Sequence, residues 1–339
     1  MSAPGIERSD LTPAPKSVSF APLADQRSDP FVEAPAAPAS TRRERTEDMR
    51  PIRRVRLITL AVLLVMHVGT PVAPAQSAGK IRFGVGPLQP TPAETKKAYE
   101  PFFAYVARKL DRDFDLVATT DWAGISVALA NDQVDLAWMG PWGYILANND
   151  SGVTAIATAK YDGKPIYHAI VVCRPGHGIK KWPEDGKGKR VSFADVGSTS
   201  GWLIPSAWFR TRGINPKEYF AYSDGATHAA NEIAVAAGQV DCATDFDRNR
   251  TAMIESGKLD KNGTEVVWQS EPLPNDAIAV GKGFDPALAK RIQQILVEIG
   301  ESQARTILPT HYTGFVAADH GSYKMIEDAG ILVGRIKKK

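Results

Sequence analysis

Apolar residues follow two different spacings along the chain, and the two alternate. Short, nearly continuous apolar runs predict strands, whereas apolar residues recurring every three to four positions predict amphipathic helices. Strands are predicted at 81–87, 114–118, 134–138, 167–173, 190–194, 240–244, 266–269 and 277–280. Helices are predicted at 95–110, 122–131, from 141, at 202–212, 227–237 and 286–301. This alternation predicts an α/β layer structure with a mainly parallel sheet, in which ligands bind beyond the carboxyl ends of the strands.

The first 48 residues lack any such pattern. They carry seven prolines together with many Ala, Ser and charged residues, which predicts a disordered extension outside the fold. An over-extended start of the reading frame is an alternative account of this segment.

Residues 49–78 have the three parts of a secretory signal peptide. A basic stretch at 49–56 precedes 12 apolar residues at 57–68, and small residues at 73–78 offer a cleavage site. Twelve residues are too few for a stable membrane span. We therefore expect export to the periplasm, with an uncleaved anchor as the alternative.

Length and charge narrow the function classes. A chain of 339 residues exceeds the size of one core, so two lobes are expected. After residue 78, 31 Lys and Arg face 30 Asp and Glu, without a basic stripe interleaved with aromatics. This balance argues against nucleic-acid binding. No paired-histidine metal motif, Walker loop or nucleophile elbow occurs in the sequence, so we expect neither a metal nor a cofactor.

The two cysteines, Cys173 and Cys242, both end apolar runs. An oxidising compartment would allow them to pair, but the sequence does not show whether their geometry permits a disulfide. Of the two readings, a pair of buried free thiols is slightly preferred.

The most informative stretch is Ser198, Thr199, Ser200 and Gly201, placed where a strand turns into a helix. A helix start presents unpaired N–H groups and the positive end of the macrodipole, so it can hold an anion. Hydroxyls add donors of adjustable direction. One hydroxyl suffices for an ordinary N-cap, and the local pattern leaves cap and anion cradle equally open.

Both halves of the mature chain contain the same short pattern. The segments 133–137 and 239–243 each follow a helix of small residues and read Gln-Val-Asp-x-Ala. This repetition is typical of two-lobed solute-binding proteins.

From residue 81 onward the chain resembles the PhnD family, the periplasmic substrate-binding components of phosphonate and phosphite ABC importers. The resemblance rests on six segments in the family's order: 121–125, 134–140, 198–201 with Ile204-Pro205, 227–228, 240–244 and 273–276. It implies a type II periplasmic-binding fold with a ligand cleft between two lobes joined by two hinge strands. Lobe 1 is expected to comprise 79–167 plus 277–339, and lobe 2 to comprise 168–276.

The resemblance also implies a ligand site. The residues expected to bind a phosphorus oxyanion are Ser198, Thr199, Ser200, the N–H of Gly201, Trp122, Tyr167, His228 and Asp276. Each has a plainer reading: a helix N-terminal residue for His228, core for Trp122, a structural phenol for Tyr167 and a loop carboxylate for Asp276. In the site, Asp276 would accept a hydrogen bond from a protonated P–OH or pair with an ammonium group. It would reject fully deprotonated anions such as sulfate.

The chain departs from the family at the pocket wall. At the position where aminophosphonate binders of the family carry a glutamate, an alignment without gaps places Arg248. If the loop is shifted, either Asp245 or Asp247 could supply the acid instead. Trp122 stands where tyrosine is commoner, and Met139 where an aromatic is frequent. These differences favour phosphite or a small alkylphosphonate over an amino-substituted phosphonate.

Capture for import, and not catalysis, is the expected activity, with an ABC permease as partner and a monomer as the expected state. Two alternatives use the same fold: a ligand-sensing module and a phosphoester-processing enzyme. The enzyme would need an activated nucleophile or a metal cluster, and the serine triplet has no evident base other than His228.

Overall fold

A computed structural model of the chain describes residues 79–176 and 178–338. The expected extension and signal peptide, at 1–78, lie outside the described residues. Within the described part, no helix combines the length and apolarity that a membrane crossing requires.

Strands and helices alternate through most of the described chain. The strands are β1 (Ile81–Val85), β2 (Phe114–Ala118), β3 (Leu136–Met139), β4 (Thr154–Tyr161), β5 (Ile166–Tyr167), β6 (Ala169–Cys173), β7 (Arg190–Ala194), β8 (Ala221–Ala226), β9 (Cys242–Phe246), β10 (Glu265–Gln269), β11 (Leu273–Pro274), β12 (Ala277–Val280) and β13 (Tyr312–Ala317). The α-helices are α1 (Pro92–Lys109), α2 (Trp122–Ala130), α3 (Pro141–Ser151), α4 (Ile204–Arg210), α5 (Pro216–Tyr219), α6 (His228–Ala236), α7 (Asp247–Glu255), α8 (Pro286–Val297), α9 (Glu301–Ile307) and α10 (Lys324–Leu332). Short 3₁₀ turns lie at Glu184–Gly186 and His320–Tyr323, and one π-helical turn lies at Thr199–Leu203.

The strands form two main sheets, one in each lobe. The first lobe carries the order β13-β4-β12-β3-β1-β2, and the second carries β10-β6-β9-β7-β8. The strands β5 and β11 pair antiparallel, Tyr167 opposite Leu273, where the chain crosses between the sheets in each direction. This arrangement agrees with the expected type II periplasmic-binding fold.

The expectation of mainly parallel sheets is wrong. In the first sheet only β1–β2 and β1–β3 are parallel, whereas β12 runs antiparallel to both β3 and β4. In the second sheet β6 is antiparallel to β9 and β10. The chain leaves the first sheet at the end of β4 and re-enters it at the start of β12. These two neighbouring strands therefore run in opposite directions.

Each sheet buries its own apolar core. Around the first sheet the rings of Phe102, Trp138 and Phe315 are buried and in mutual contact, and Phe83 is buried in the same core. In the second lobe Phe193 and Phe209 pack with the strands β6, β7 and β9. A further cluster, built around Trp142 and Leu203, joins side chains of both lobes. The two lobes therefore share an apolar cluster in addition to their own cores.

Helix starts agree closely with the cap residues in the sequence. Asp121, Thr227 and Asp285 each accept a backbone N–H in the first turn of α2, α6 and α8. The helix expected at 286–301 is shorter, because α8 ends at Val297 and α9 begins after Gly300. The strand expected at 240–244 lies two residues later, as β9.

The preference for free thiols is also wrong. Cys173 of β6 lies directly opposite Cys242 of β9, and the two sulfurs form a disulfide. The antiparallel register brings their Cα atoms to 4.0 Å. Sequence alone could not show this pairing because it depends on which residues face each other across two strands 69 positions apart.

Candidate functional site

The three hydroxyl residues at 198–200 begin a helix and are all buried. Ser198 is the N-cap, its Oγ accepting the N–H of Gly201 at 3.0 Å. The following turn is π-helical, with the N–H of Leu203 bonded to the carbonyl of Ser198 at 3.1 Å. Such widened turns are often found at functional sites. The cap reading is therefore correct for Ser198, and it leaves the other two hydroxyls unused by the cap.

His228 contacts this cap from α6. Its Nε2 lies 2.9 Å from Ser198 Oγ, and Thr227, the N-cap of α6, fixes the ring at the first helical position. Burial lowers the pKa of His228 to about 4, so the imidazole is neutral at physiological pH. On the far side of the ring, Nδ1 lies 3.1 Å from Oδ1 of Asp245, though without the alignment of a hydrogen bond.

Two buried carboxyl groups lie behind the histidine. Burial raises the pKa of Asp245 to about 7. Burial, together with the negative charge of Asp245, raises the pKa of Glu232 to about 9. Asn249 donates to both oxygens of Asp245 at 3.0 and 2.9 Å. At neutral pH the two carboxyl groups therefore hold at least one proton between them.

The first lobe contributes an indole wall. Trp122 begins α2 and covers two glycines, Gly86 and Gly140. A Cβ on Gly86 would lie 2.5 Å from the Trp122 ring, and one on Gly140 would lie 3.4 Å from it. Only glycine at 86 allows the indole to lie flat against this backbone. The ring is 8% exposed, which agrees with a wall that excludes water.

Asp276 supplies an acceptor at the end of the return crossing. Its Oδ2 accepts hydrogen bonds from Trp138 Nε1 at 3.2 Å and from the Tyr312 hydroxyl at 3.3 Å. Burial raises the pKa of this carboxyl, and the positive charge of Arg248 opposes that shift. Tyr167, on the outward crossing, has its pKa raised by burial and by Asp276. The phenol is therefore protonated at neutral pH, and it lines the same cavity as Thr199 and Ser200.

Arg248 is the charged cavity residue that the sequence does not reveal. The departure from the family pattern at this position predicts only the loss of an acid, whereas the guanidinium lines the same cavity as the hydroxyl triplet. The side chain is 8% exposed and lies 4.8 Å from the ring centres of Tyr161 and Tyr167. Its Nε and Nη1 have no hydrogen-bond partner within residues 79–176 and 178–338. The signal in the sequence that points to Arg248 is its position, the second residue of the helix α7, which directly follows the strand β9.

These groups surround one small cavity between the lobes. The space open to the centre of a water-sized sphere is about 20 Å³. The lining residues are Leu88, Trp122, Gly140, Tyr167, Ser198, Thr199, Ser200, His228, Phe246, Arg248 and Asp276. The cavity thus combines hydroxyl and guanidinium donors with one carboxylate acceptor and apolar walls. Such a set can hold a compact oxyanion that has one protonated oxygen.

Four residues named from the sequence lie beside the cavity and do not line it. The N–H of Gly201 is taken by Ser198 Oγ. Met139 is buried in the core that joins the lobes. Asp245 lies behind His228, and Asp247 accepts the N–H of Arg248 at 2.8 Å. Among the described residues, no cluster of three or more His, Cys, Asp or Glu could hold a metal ion.

The sequence model of one family matches residues 83–323. Its description reads ABC transporter, phosphonate, periplasmic substrate-binding protein. The chain belongs to this family. Membership confirms the expected resemblance and implies a periplasmic location.

Two curated members of the family are similar to the chain at low identity. It is 26% identical over 218 residues to the phosphate-import protein PhnD of Mycolicibacterium smegmatis, covering 61% of this chain and 68% of that one. It is 26% identical over 211 residues to the phosphonates-binding periplasmic protein of Escherichia coli, covering 61% of this chain and 62% of that one.

Solved structures confirm the fold. The binding component of an ABC phosphonate transporter from Pseudomonas aeruginosa superimposes with a TM-score of 0.69 at 22% identity, over 76% of this chain and 87% of that one. PhnD1 from Prochlorococcus marinus, solved with methylphosphonate, gives a TM-score of 0.67 at 18% identity, over 76% of this chain and 99% of that one.

Proposed function

We propose that this protein captures a small phosphorus oxyanion, phosphite or a short alkylphosphonate, and delivers it to an ABC permease. The observation that carries the proposal is that the hydroxyls at 198–200 and the Asp276 carboxylate line one cavity. The hydroxyls can donate to unprotonated oxygens, while Asp276 can accept from a P–OH group.

The size of the cavity supports a small ligand. The centre of a water-sized sphere can move through only about 20 Å³ of this cavity, so there is room for a compact group and not for an extended one. Trp122 and Leu88 close one side, so a long or branched substituent would need the lobes to remain apart. A methyl group or the hydrogen of phosphite suits such a wall better than an extended chain.

Both lobes supply cavity residues, which supports capture by closure. Trp122 and Gly140 belong to the first lobe, the hydroxyl triplet and His228 belong to the second, and Asp276 ends the return crossing between β11 and β12. A ligand bound between them favours the closed state because it makes all its contacts only there. The permease would then recognise the closed form.

A second candidate rests on the proximity of Ser198, His228 and Asp245, which follow one another in the order of a hydrolytic triad. Two observations weigh against it. The low pKa of His228, about 4, makes the imidazole a weak base, and Ser198 Oγ already caps the helix through Gly201. Release of nitrophenol from p-nitrophenyl phosphate, lost in Ser198→Ala, would establish the enzyme instead.

Calorimetric titration of the purified protein with phosphite, methylphosphonate, phosphate, sulfate and 2-aminoethylphosphonate tests the proposal. Phosphite or methylphosphonate should bind most tightly, and sulfate should bind weakest because it offers no proton to Asp276. Tightest binding of 2-aminoethylphosphonate or sulfate would contradict the proposed ligand. Absence of heat with every phosphorus compound would contradict the proposed function itself.

A further inference from the structure

Arg248 carries a positive charge into the cavity, and within the described residues no carboxylate forms a hydrogen bond or ion pair with its guanidinium. The side chain is 8% exposed, and within the described residues neither Nε nor Nη1 has a hydrogen-bond partner. A buried ionised group without a partner is unfavourable unless something else meets its charge. The position of the guanidinium on the cavity wall places that missing partner inside the cavity.

The surroundings of Arg248 hold it in place but do not neutralise it. The guanidinium carbon lies 4.8 Å from the ring centres of Tyr161 and Tyr167, 5.7 Å from Phe246 and 6.0 Å from Tyr312. Cation–π contacts of this kind offset part of the desolvation. They also restrict the side chain, so its free donors remain directed at one place.

The charge of Arg248 has two consequences for a ligand. A planar guanidinium offers paired donors that match two oxygens of a phosphonate or phosphite group. The same charge repels a ligand ammonium, because in so small a cavity any substituent on phosphorus lies within a few ångströms of the guanidinium. Asp276 is already within the field of Arg248 and is less able to balance a second cation.

We propose that Arg248 is a ligand-binding residue that sets the charge class of the ligand: the site takes phosphorus oxyanions with an uncharged substituent and rejects those that carry an ammonium group. This inference rests on the proposed function. It adds a residue in direct contact with the anion and a reason for discrimination that is independent of ligand size.

Two ligands of equal size separate charge from volume. Ethylphosphonate and aminomethylphosphonate differ by a methyl group in place of an ammonium group. Calorimetry on the unmodified protein should show ethylphosphonate binding ~100-fold more tightly, the factor expected for two like charges about 5 Å apart in a partly desolvated site. Equal affinity for the two compounds would overturn the inference without affecting the proposed function.

Substitutions at Arg248 test the direct contact. Arg248→Met should weaken methylphosphonate binding about 100-fold, as expected when an ionised hydrogen-bond donor is lost from a buried site, and it should narrow the gap between the two isosteric ligands to less than about tenfold. Arg248→Lys keeps the charge but loses the paired donors, so it should retain the discrimination at lower affinity.

Arg250→Met serves as the matched control, because Arg250 lies on the same helix and bonds Thr264 outside the cavity. It should bind methylphosphonate like the unmodified protein. Melting curves without ligand report whether each variant is folded. Unchanged methylphosphonate affinity in folded Arg248→Met would overturn the inference, as would failure of the unmodified protein to bind any phosphorus oxyanion, which overturns the proposed function as well.

Discussion

The backbone N–H of Trp142 donates a hydrogen bond of 2.8 Å to the hydroxyl of Thr199. Trp142 lies in the first turn of α3 in the first lobe, and Thr199 is the central part of the hydroxyl triplet of the second lobe. The Thr199 side chain, which lines the cavity, thus accepts one of the otherwise unpaired N–H groups at the start of a helix in the opposite lobe. Thr199 accepts this bond through an oxygen lone pair, so its O–H can still donate to a ligand oxygen. The contact links ligand binding to lobe closure.

Thr199→Val should weaken ligand binding by about 10- to 100-fold, because it removes a donor to the ligand and leaves the Trp142 N–H without its partner. Thr199→Ser keeps the hydroxyl and should lie within a few-fold of the unmodified protein. Calorimetry with methylphosphonate measures both. Retained affinity in Thr199→Val would contradict the role of the hydroxyl, and a loss in Thr199→Ser as large as that in Thr199→Val would show that the hydroxyl alone does not account for binding.

Much of the fold follows from the sequence because helix starts and strand runs are local properties. Asp121, Thr227 and Asp285 cap the helices that their positions predict. Ser198 illustrates the limit, since it is both the ordinary cap and a wall of the cavity, and local pattern could not choose between the two.

The features that sequence reasoning missed all depend on contacts between distant segments. Arg248 is buried because rings from β4, β5, β9 and β13 surround it. The disulfide depends on the register between β6 and β9, and the antiparallel pairs depend on the direction in which β12 returns. None of these relationships leaves a periodic signal along the chain.

Glu232 makes stability fall with rising pH. Its pKa is raised from 4.5 to about 9 in the folded protein, mainly by burial. The folded state therefore holds the proton more tightly than the unfolded state, so this stabilisation is complete below pH 4.5 and is lost as the pH rises toward 9. Glu232→Gln should accordingly show a smaller decrease in melting temperature between pH 5 and pH 9 than the unmodified protein.

The exposed Glu271→Gln provides the matched control for this measurement, and its melting temperatures should follow those of the unmodified protein across the same range. Parallel curves for Glu232→Gln and the unmodified protein would show that the buried carboxyl pair does not bind a proton on folding.

His311 joins the two lobes at the edge of the cleft. Its Nδ1 lies 3.0 Å from Asp162 of the first lobe, and its Nε2 lies 2.9 Å from Glu255 at the end of α7 in the second. Burial acts to lower the pKa of His311, but the hydrogen bonds to these two carboxylates outweigh it, so the pKa is raised. The protonated ring, a donor at both nitrogens, therefore favours closure.

This attraction is complete below the ordinary histidine pKa of 6.5 and fades as the pH rises through the raised value. Ligand affinity should fall over that range by less than about fivefold, since the pair is partly exposed. Glu255→Gln should remove this component. Calorimetry of the unmodified protein and of Glu255→Gln with the same ligand measures this difference, because protonation of the ligand contributes equally to both. Identical pH profiles of the two proteins would refute the role of His311.

The disulfide should contribute to stability and not to binding. Replacing both Cys173 and Cys242 by alanine should lower the free energy of unfolding by about 2–5 kcal/mol. The dissociation constant for methylphosphonate should be unchanged, because neither sulfur lines the cavity. Denaturant unfolding and calorimetry measure the two quantities. Loss of ligand affinity in a folded double variant would show that the bridge also shapes the site.

The most direct test of the central claim is titration of the triple variant Ser198→Ala, Thr199→Ala, Ser200→Ala against the unmodified protein with phosphite and methylphosphonate. If these hydroxyls hold the oxyanion, the unmodified protein binds and the triple variant gives no measurable heat. Its melting temperature without ligand should be lower, because the Ser198 cap and the partner of the Trp142 N–H are lost, but a single cooperative transition shows that the variant is folded. Retained affinity in the folded triple variant would contradict the account.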